Sequence, residues 1–148
     1  MERLTACPLC GGRVASRRTE IDQPVRLRET VRLSWRVTTC SSCGERFFSP
    51  GEMDAIQRAA TQIVRDREGL LAPEEIRAIR ESMHLTQAAF ERLLRVGAKT
   101  VVRWERGTSF QSRATDTLLR VLRAVPQARV FVRELCDADA HAGAAASS

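Results

Sequence analysis

The chain has 148 residues, of which 43% are hydrophobic and 28% charged, with a formal net charge of +6. That is the balance of a water-soluble globular protein with one compact domain or two small ones. No apolar run approaches the ~18 residues of a membrane span, and residues 1 to 20 have no signal-peptide core, so the expectation is a cytoplasmic protein with no membrane partner.

Cys7-Pro8-Leu9-Cys10-Gly11 and Cys40-Ser41-Ser42-Cys43-Gly44 are two C-x-x-C-G knuckles. Each pair can chelate a metal from one turn, and the glycine lets the backbone fold back until its amides face the sulfurs. Four thiolates suit tetrahedral zinc, and with no further ligand nearby the site is closed, hence structural: one Zn²⁺ per chain on Cys7, Cys10, Cys40 and Cys43. Two disulfides are the competing reading, but such pairs in a cytoplasmic chain more often bind metal.

Between the knuckles, Val25 to Val37 alternates. Val25, Leu27, Val31, Leu33, Trp35 and Val37 share one face, and Arg26, Arg28, Arg32, Ser34 and Arg36 the other. This predicts a half-buried strand or hairpin, paired with Gly12 to Glu20, whose outer row is either an interaction surface or a solvated face. Ser49-Pro50-Gly51-Glu52 is a capping box with proline at the first helical position. Met53, Ile56, Ala60, Ile63 and Val64 then follow at helical spacing to about Arg67. Glu68-Gly69 closes that helix, so the expected domains are 1–68 and 69–136. Pro73 opens another helix, Glu74 to Met83, with Ile76, Ile79 and Met83 inward.

Leu85 to Gly107, LTQAAFERLLRVGAKTVVRWERG, reads as a helix, a tight turn and a second helix. Thr86 is the N-cap of the first, and Ala89, Phe90, Leu93 and Leu94 form its apolar face, with Ala89 at the contact point. Val96 plugs the turn, Gly97 caps the second helix (Ala98 to Arg106), and Gly107 ends it. Val101 and Trp104 point inward, leaving Lys99, Thr100, Arg103 and Arg106 free. A short helix with a donor-rich outer face and a pinned inner face is what the major groove of DNA admits. Residues 85–136 carry ten basic against four acidic side chains, while 51–84 carry five against seven. Positive charge thus peaks where phosphate would be neutralised.

The stretch resembles the helix-turn-helix of the Xre and phage-repressor family, from its threonine-glutamine opening to its tryptophan-glutamate-x-glycine close. Glu91 stands where that family has a small residue, and Arg95 where it has glycine. Lys99, Thr100 and Arg103 are the candidate base contacts, and Gln87, Arg92, Arg95 and Arg106 the candidate phosphate contacts.

Ser112 caps a helix through Ala124, and Pro126 starts another to about Cys136. Leu118, Leu119, Val121, Leu122 and Val125 offer more apolar surface than one side of a small domain hides, and Val130, Phe131 and Leu135 follow on the next helix; the two helices either form a homodimer interface in the C-terminal half, which is the expectation, or simply close the core. Cys136 reads as a small buried residue. Asp137 to Ser148 reads as a disordered tail. The fold class is therefore α+β: a small N-terminal zinc-binding β-ribbon domain with four cysteine ligands, joined to an all-α helix-turn-helix domain.

This order, with LAPEEIRAIRESMHLTQ over Leu71 to Gln87, resembles the MqsA family of antitoxins, the YgiT-type zinc finger proteins. The resemblance spans about Cys7 to Leu135. It implies an autorepressor that grips an inverted-repeat operator in double-stranded DNA as a dimer and silences an mRNA-cleaving toxin through its zinc domain. Arg26, Arg28, Arg32 and Arg36 are the candidate toxin-binding residues. The alternative is a stand-alone zinc-ribbon/helix-turn-helix regulator with no toxin. An enzyme is not expected: only His84 and His141 are available, with no nucleophile-base pair or phosphate loop and a closed metal site.

Overall fold

A computed structural model describes the backbone of residues 4–145 and the side chains of residues 4–139. The chain divides into two compact units, Met1–Ile63 and Val64–Ser148.

In the first unit, β1 (Val14–Arg26), β2 (Glu29–Cys40) and the short β3 (Arg46–Phe47) form an antiparallel sheet in that order. Ile21 lies opposite Leu33 and Gln23 opposite Val31, and Ile21, Val31, Leu33 and Val37 are buried on one face. The partner of β2 is longer than expected, and the hairpin turns at Leu27-Arg28. Leu27, assigned to the apolar face from alternation, is at that tip and 99% exposed. A turn residue leaves the pleat, so the period of two no longer applies to it.

Helix α1 (Pro50–Glu68) begins as its capping box requires. Glu52 Oε2 accepts from the Ser49 amide at 2.7 Å, and Ser49 Oγ accepts from the Glu52 amide at 3.2 Å. Ile56 and Ala60 are buried, while Met53 and Ile63, expected inward, are 44% and 42% exposed. Gln23 Nε2 donates to Gln57 Oε1 at 2.7 Å, tying the ribbon to this helix. The unit boundary falls inside α1 rather than at Glu68-Gly69, because the last turn belongs to the helical unit. There Val64 and Arg65 are buried, and the Arg65 guanidinium donates to the Ser109 carbonyl.

The second unit contains α2 (Pro73–Ser82), α3 (Gln87–Leu94), α4 (Thr100–Arg106), α5 (Arg113–Ala124) and α6 (Pro126–Ala145). Leu71, Ile76, Ile79, Met83, Phe90, Leu93, Leu94, Val101, Trp104, Leu119 and Leu122 form one core. Thr86 and Ser112 cap α3 and α5 by accepting from the amides of Ala89 and Thr115. Ala89 is half-buried and outside the core cluster. Asp116 organises the loops: its carboxylate accepts from the Leu71 amide at 2.8 Å, Gln111 Nε2 at 2.8 Å and Arg120 Nε at 2.7 Å. Helix α6 is longer than the sequence reading, which ended it near Cys136. The segment taken as a disordered tail from Asp137 is helical to Ala145, and its alanines, the best helix formers, supply the reason. Residues 146–148 and the His141 side chain lie outside the described set.

Candidate metal centre and nucleic-acid interface

The two knuckles have the same backbone design. The Gly11 amide donates to the Cys7 carbonyl at 2.9 Å and the Cys7 amide to the Gly12 carbonyl at 2.8 Å. In the second knuckle the Gly44 amide donates to the Cys40 carbonyl at 3.1 Å and the Cys40 amide to the Glu45 carbonyl at 2.9 Å. Gly11 and Gly44 take φ of 71° and 76°, the left-handed turn that glycine makes without steric cost. Gly12 serves a different purpose. A Cβ there would lie 2.4 Å from Ser42 Oγ and 3.1 Å from Cys40 Sγ, so its bare backbone is what lets the knuckles close.

The ribbon carries the knuckles to a common place, where the Sγ atoms of Cys7, Cys10, Cys40 and Cys43 lie within 4.8 Å of one another. Cys7 and Cys43 are 3.7 Å apart and Cys10 and Cys40 3.5 Å. Sulfurs at ~2.3 Å from a tetrahedral zinc stand about 3.8 Å from each other, so the spacing fits the ion. All five cysteines are free thiols, and disulfide sulfurs would be at about 2.05 Å. The amides of Cys43 and Ser42 point at Cys40 and lower its pKa to about 6. Cys43 receives the Glu45 amide, which lowers its pKa, but sharing protons with Cys10 and Cys40 outweighs this and pushes it up to about 12. Four thiols this close cannot all ionise without a cation, which is the charge a divalent metal supplies.

The arginines of the ribbon do not form one row. Arg26 is on β1, where its Nη1 donates to Glu29 at 3.0 Å, and Arg28 is in the turn. Arg32 Nε and Nη2 grip Asp22 at 2.8 and 3.3 Å, and the guanidinium holds that carboxyl below its usual range. Arg36 stands opposite Arg18 across the hairpin. Sequence alternation finds cations; it cannot find the carboxylate that the neighbouring strand places beside one of them.

In the helical unit, Val101 and Trp104 are buried and Val96 packs against the core. The turn is built differently from its expected form. Gly97 has no positive φ; the left-handed positions are Arg95 (φ 55°) and Lys99 (φ 63°). Arg95 therefore occupies a conformation that ordinarily selects glycine, the residue the Xre pattern has there. Lys99 is the N-cap of α4, not a residue of its first turn, so its relation to Arg103 is not that of two side chains four apart on one helix. Thr100 is the near neighbour instead, with its Oγ1 accepting from Arg103 Nη2 at 3.3 Å. Arg92, Arg95, Lys99, Arg103 and Arg106 are all exposed. Gln87 is half-buried, and its amide group donates to Glu105 at 2.8 Å.

Glu91 and Glu105 are functional candidates that periodicity missed. Both are buried, Glu91 accepting from the Val101 amide at 3.0 Å and Glu105 gripping Arg80 at 2.6 and 3.1 Å. Apolar-face counting treats glutamates as solvent-facing. The available signal was Glu91 at a position where a small residue is usual.

Among the described residues, no helix is long and apolar enough to cross a membrane. The chain is 32% identical to the antitoxin HigA-2 of Vibrio cholerae serotype O1 over 65 residues, which are 44% of this chain and 62% of that relative, so less than two thirds of that relative is spanned. It is 29% identical to the antitoxin MqsA of Escherichia coli strain K12 over 126 residues, 82% of this chain and 94% of that one. Residues 5–133 match the family described as the antitoxin component of bacterial toxin-antitoxin systems, MqsA. With a cysteine cluster that can hold a metal on a β-sheet, an all-α unit after it and a match running through both, the chain belongs to the MqsA family of antitoxins, which are not enzymes.

Proposed function

We propose that this chain represses its own operon by reading an inverted-repeat operator as a dimer, and that its zinc-bearing ribbon neutralises an mRNA-cleaving toxin. The observation that carries the DNA-binding half is the two-sided character of α4. Val101 and Trp104 anchor it in the core, while Arg103 and Arg106 stand exposed and Thr100 orients the Arg103 guanidinium. A planar fork held in this way suits the O6 and N7 acceptors of guanine, and Arg92, Arg95, Lys99 and Arg106 suit phosphates. Dimerisation is supported by Val121, Val125, Val130, Phe131 and Leu135 on α5 and α6 and the residue between them, each at least 40% exposed. On the ribbon, Arg28 and Arg36 are the members of the toxin-binding set without a described ion pair, and they are the stronger candidates for the toxin contact.

Titration of the full chain against its own promoter and scrambled DNA at two salt concentrations tests the repressor. Arg103→Ala is expected to cost about 1–3 kcal/mol per half-site on the operator and to relax sequence preference. Arg106→Ala weakens both DNAs alike and reduces the salt slope by about one unit. Equal losses for Arg103→Ala on both DNAs would make it a phosphate contact. Co-expression with the product of the adjacent reading frame tests neutralisation: rescue of growth by the wild type and its loss in an Arg28→Glu/Arg36→Glu variant is the expected result.

A further inference from the structure

We propose that Glu91 is the positioning residue that aims α4, which rests on the DNA-reading function above. Helix α4 has seven residues and begins after Lys99, whose left-handed backbone brings no side-chain cap. The Thr100 amide finds the Gly97 carbonyl at 3.2 Å. The Val101 amide is donated to Glu91 Oε1, a side chain of α3, at 3.0 Å. Val101 is 0% exposed and Glu91 7%, so water does not compete for this bond. A carboxylate at a helix N-terminus also meets the positive end of the helix dipole. The first turn of α4 is thus fastened to α3 by a charge-assisted bond, in a turn with two left-handed non-glycine residues that need their surroundings to hold them.

The bond is one residue from Thr100 and two from Arg103, the pair whose orientation decides which base edge is met. Freed from it, the turn relaxes and α4 can slide or tilt. Contacts to phosphate tolerate such movement, because a long arginine follows its target. A bidentate guanine contact does not, since both bonds need the guanidinium in one plane and register. Glu91 therefore acts on discrimination between sequences rather than on affinity for DNA in general.

The test compares Glu91→Gln, which keeps an acceptor oxygen, with Glu91→Met, which has similar length and none. Both remove the same charge, so their difference isolates the acceptor. The readouts are hydrogen exchange at the Val101 amide and the ratio of affinities for the chain's own promoter and scrambled DNA. Glu91→Gln is expected to stay within about threefold of wild type in the promoter-to-scrambled ratio. Glu91→Met is expected to exchange the Val101 amide at least about tenfold faster, with Ile76 and Leu119 still protected, and to lose about tenfold in the ratio. If Glu91→Met does not fold, Glu91→Ala serves: it too removes the acceptor that ties the Val101 amide to α3, so the ratio falls equally. Unchanged protection of Val101, equal losses on both DNAs, or a Gln variant as poor as the Met variant would each overturn the assignment. A wild-type chain that binds both DNAs alike would overturn the base-reading function itself, and Val101 exchange would still judge the fastening bond.

Discussion

Glu105 ties the last turn of α4 to α2 and to the start of α3, and Glu105→Gln measures how firmly. Its side chain is 1% exposed and takes Arg80 Nε at 2.6 Å, Arg80 Nη2 at 3.1 Å and Gln87 Nε2 at 2.8 Å, with Arg77 at 3.4 Å. Burial alone would raise its pKa; the bonds from Arg80 and Gln87 and the nearby Arg80 and Arg77 charges more than offset this, and the net direction is down. Glutamine keeps one acceptor but leaves Arg80, 12% exposed, without this buried counter-charge. Hydrogen bonds to charged groups are worth about 1.5–3 kcal/mol, and the half-exposed Arg77 adds little, so the expected loss is about 2–3 kcal/mol. In a unit of this size that lowers Tm by roughly 10–20 °C. Because the folded pKa is depressed, the contribution is complete above the unfolded value of about 4.3 and is lost as pH falls through the folded value. The gap between wild type and Glu105→Gln should therefore be full at about pH 6 to 7 and narrow toward about pH 3. Urea unfolding followed by Trp104 fluorescence, in a Trp35→Phe background that leaves one tryptophan, reads the helical unit by itself. A difference under about 0.5 kcal/mol near neutral pH, or one that does not narrow in acid, would refute the reasoning.

Arg95→Gly removes a left-handed arginine (φ 55°, ψ 40°) and an exposed ion pair with Asp139. Relief of about 1–2 kcal/mol of backbone cost exceeds the pair and the added freedom of the unfolded chain, so calorimetry should show a Tm equal to or a few degrees above wild type. Gly12→Ala drives a Cβ into Ser42 and toward Cys40, so metal analysis should fall from about one zinc per chain to well below it, while helical circular dichroism persists. Near-zero zinc in a folded wild type would remove the metal assignment. Phe131→Ser, at a side chain 59% exposed on α6, should shift the full chain toward monomer in sedimentation without changing its fold; an unchanged dimer places the interface elsewhere.

Sequence alone determined whatever depends on a few consecutive residues. Each C-x-x-C-G knuckle folds through bonds inside its own turn, Ser49 and Glu52 satisfy each other's amides, and Thr86 and Ser112 cap the helices they precede. The spacing of Phe90, Leu93, Val101 and Trp104 is likewise a local signal of which helix faces go inward, and all four are buried. Tertiary structure decided what depends on residues distant in the chain. Nothing in Leu27-Arg28, which has no glycine, asparagine or aspartate, announces a hairpin turn; the register of Ile21 with Leu33 puts it there. The same register gives Arg32 to Asp22, turning an apparent cationic row into a partly neutralised face. Arg95 and Lys99 adopt left-handed backbones although neither residue type favours them, because the core on both sides dictates how α3 must join α4. A glutamate carries no local mark of burial: Glu91 and Glu105 lie inside only because a buried amide and a guanidinium from other segments meet them there and offset the cost of taking a carboxylate out of water.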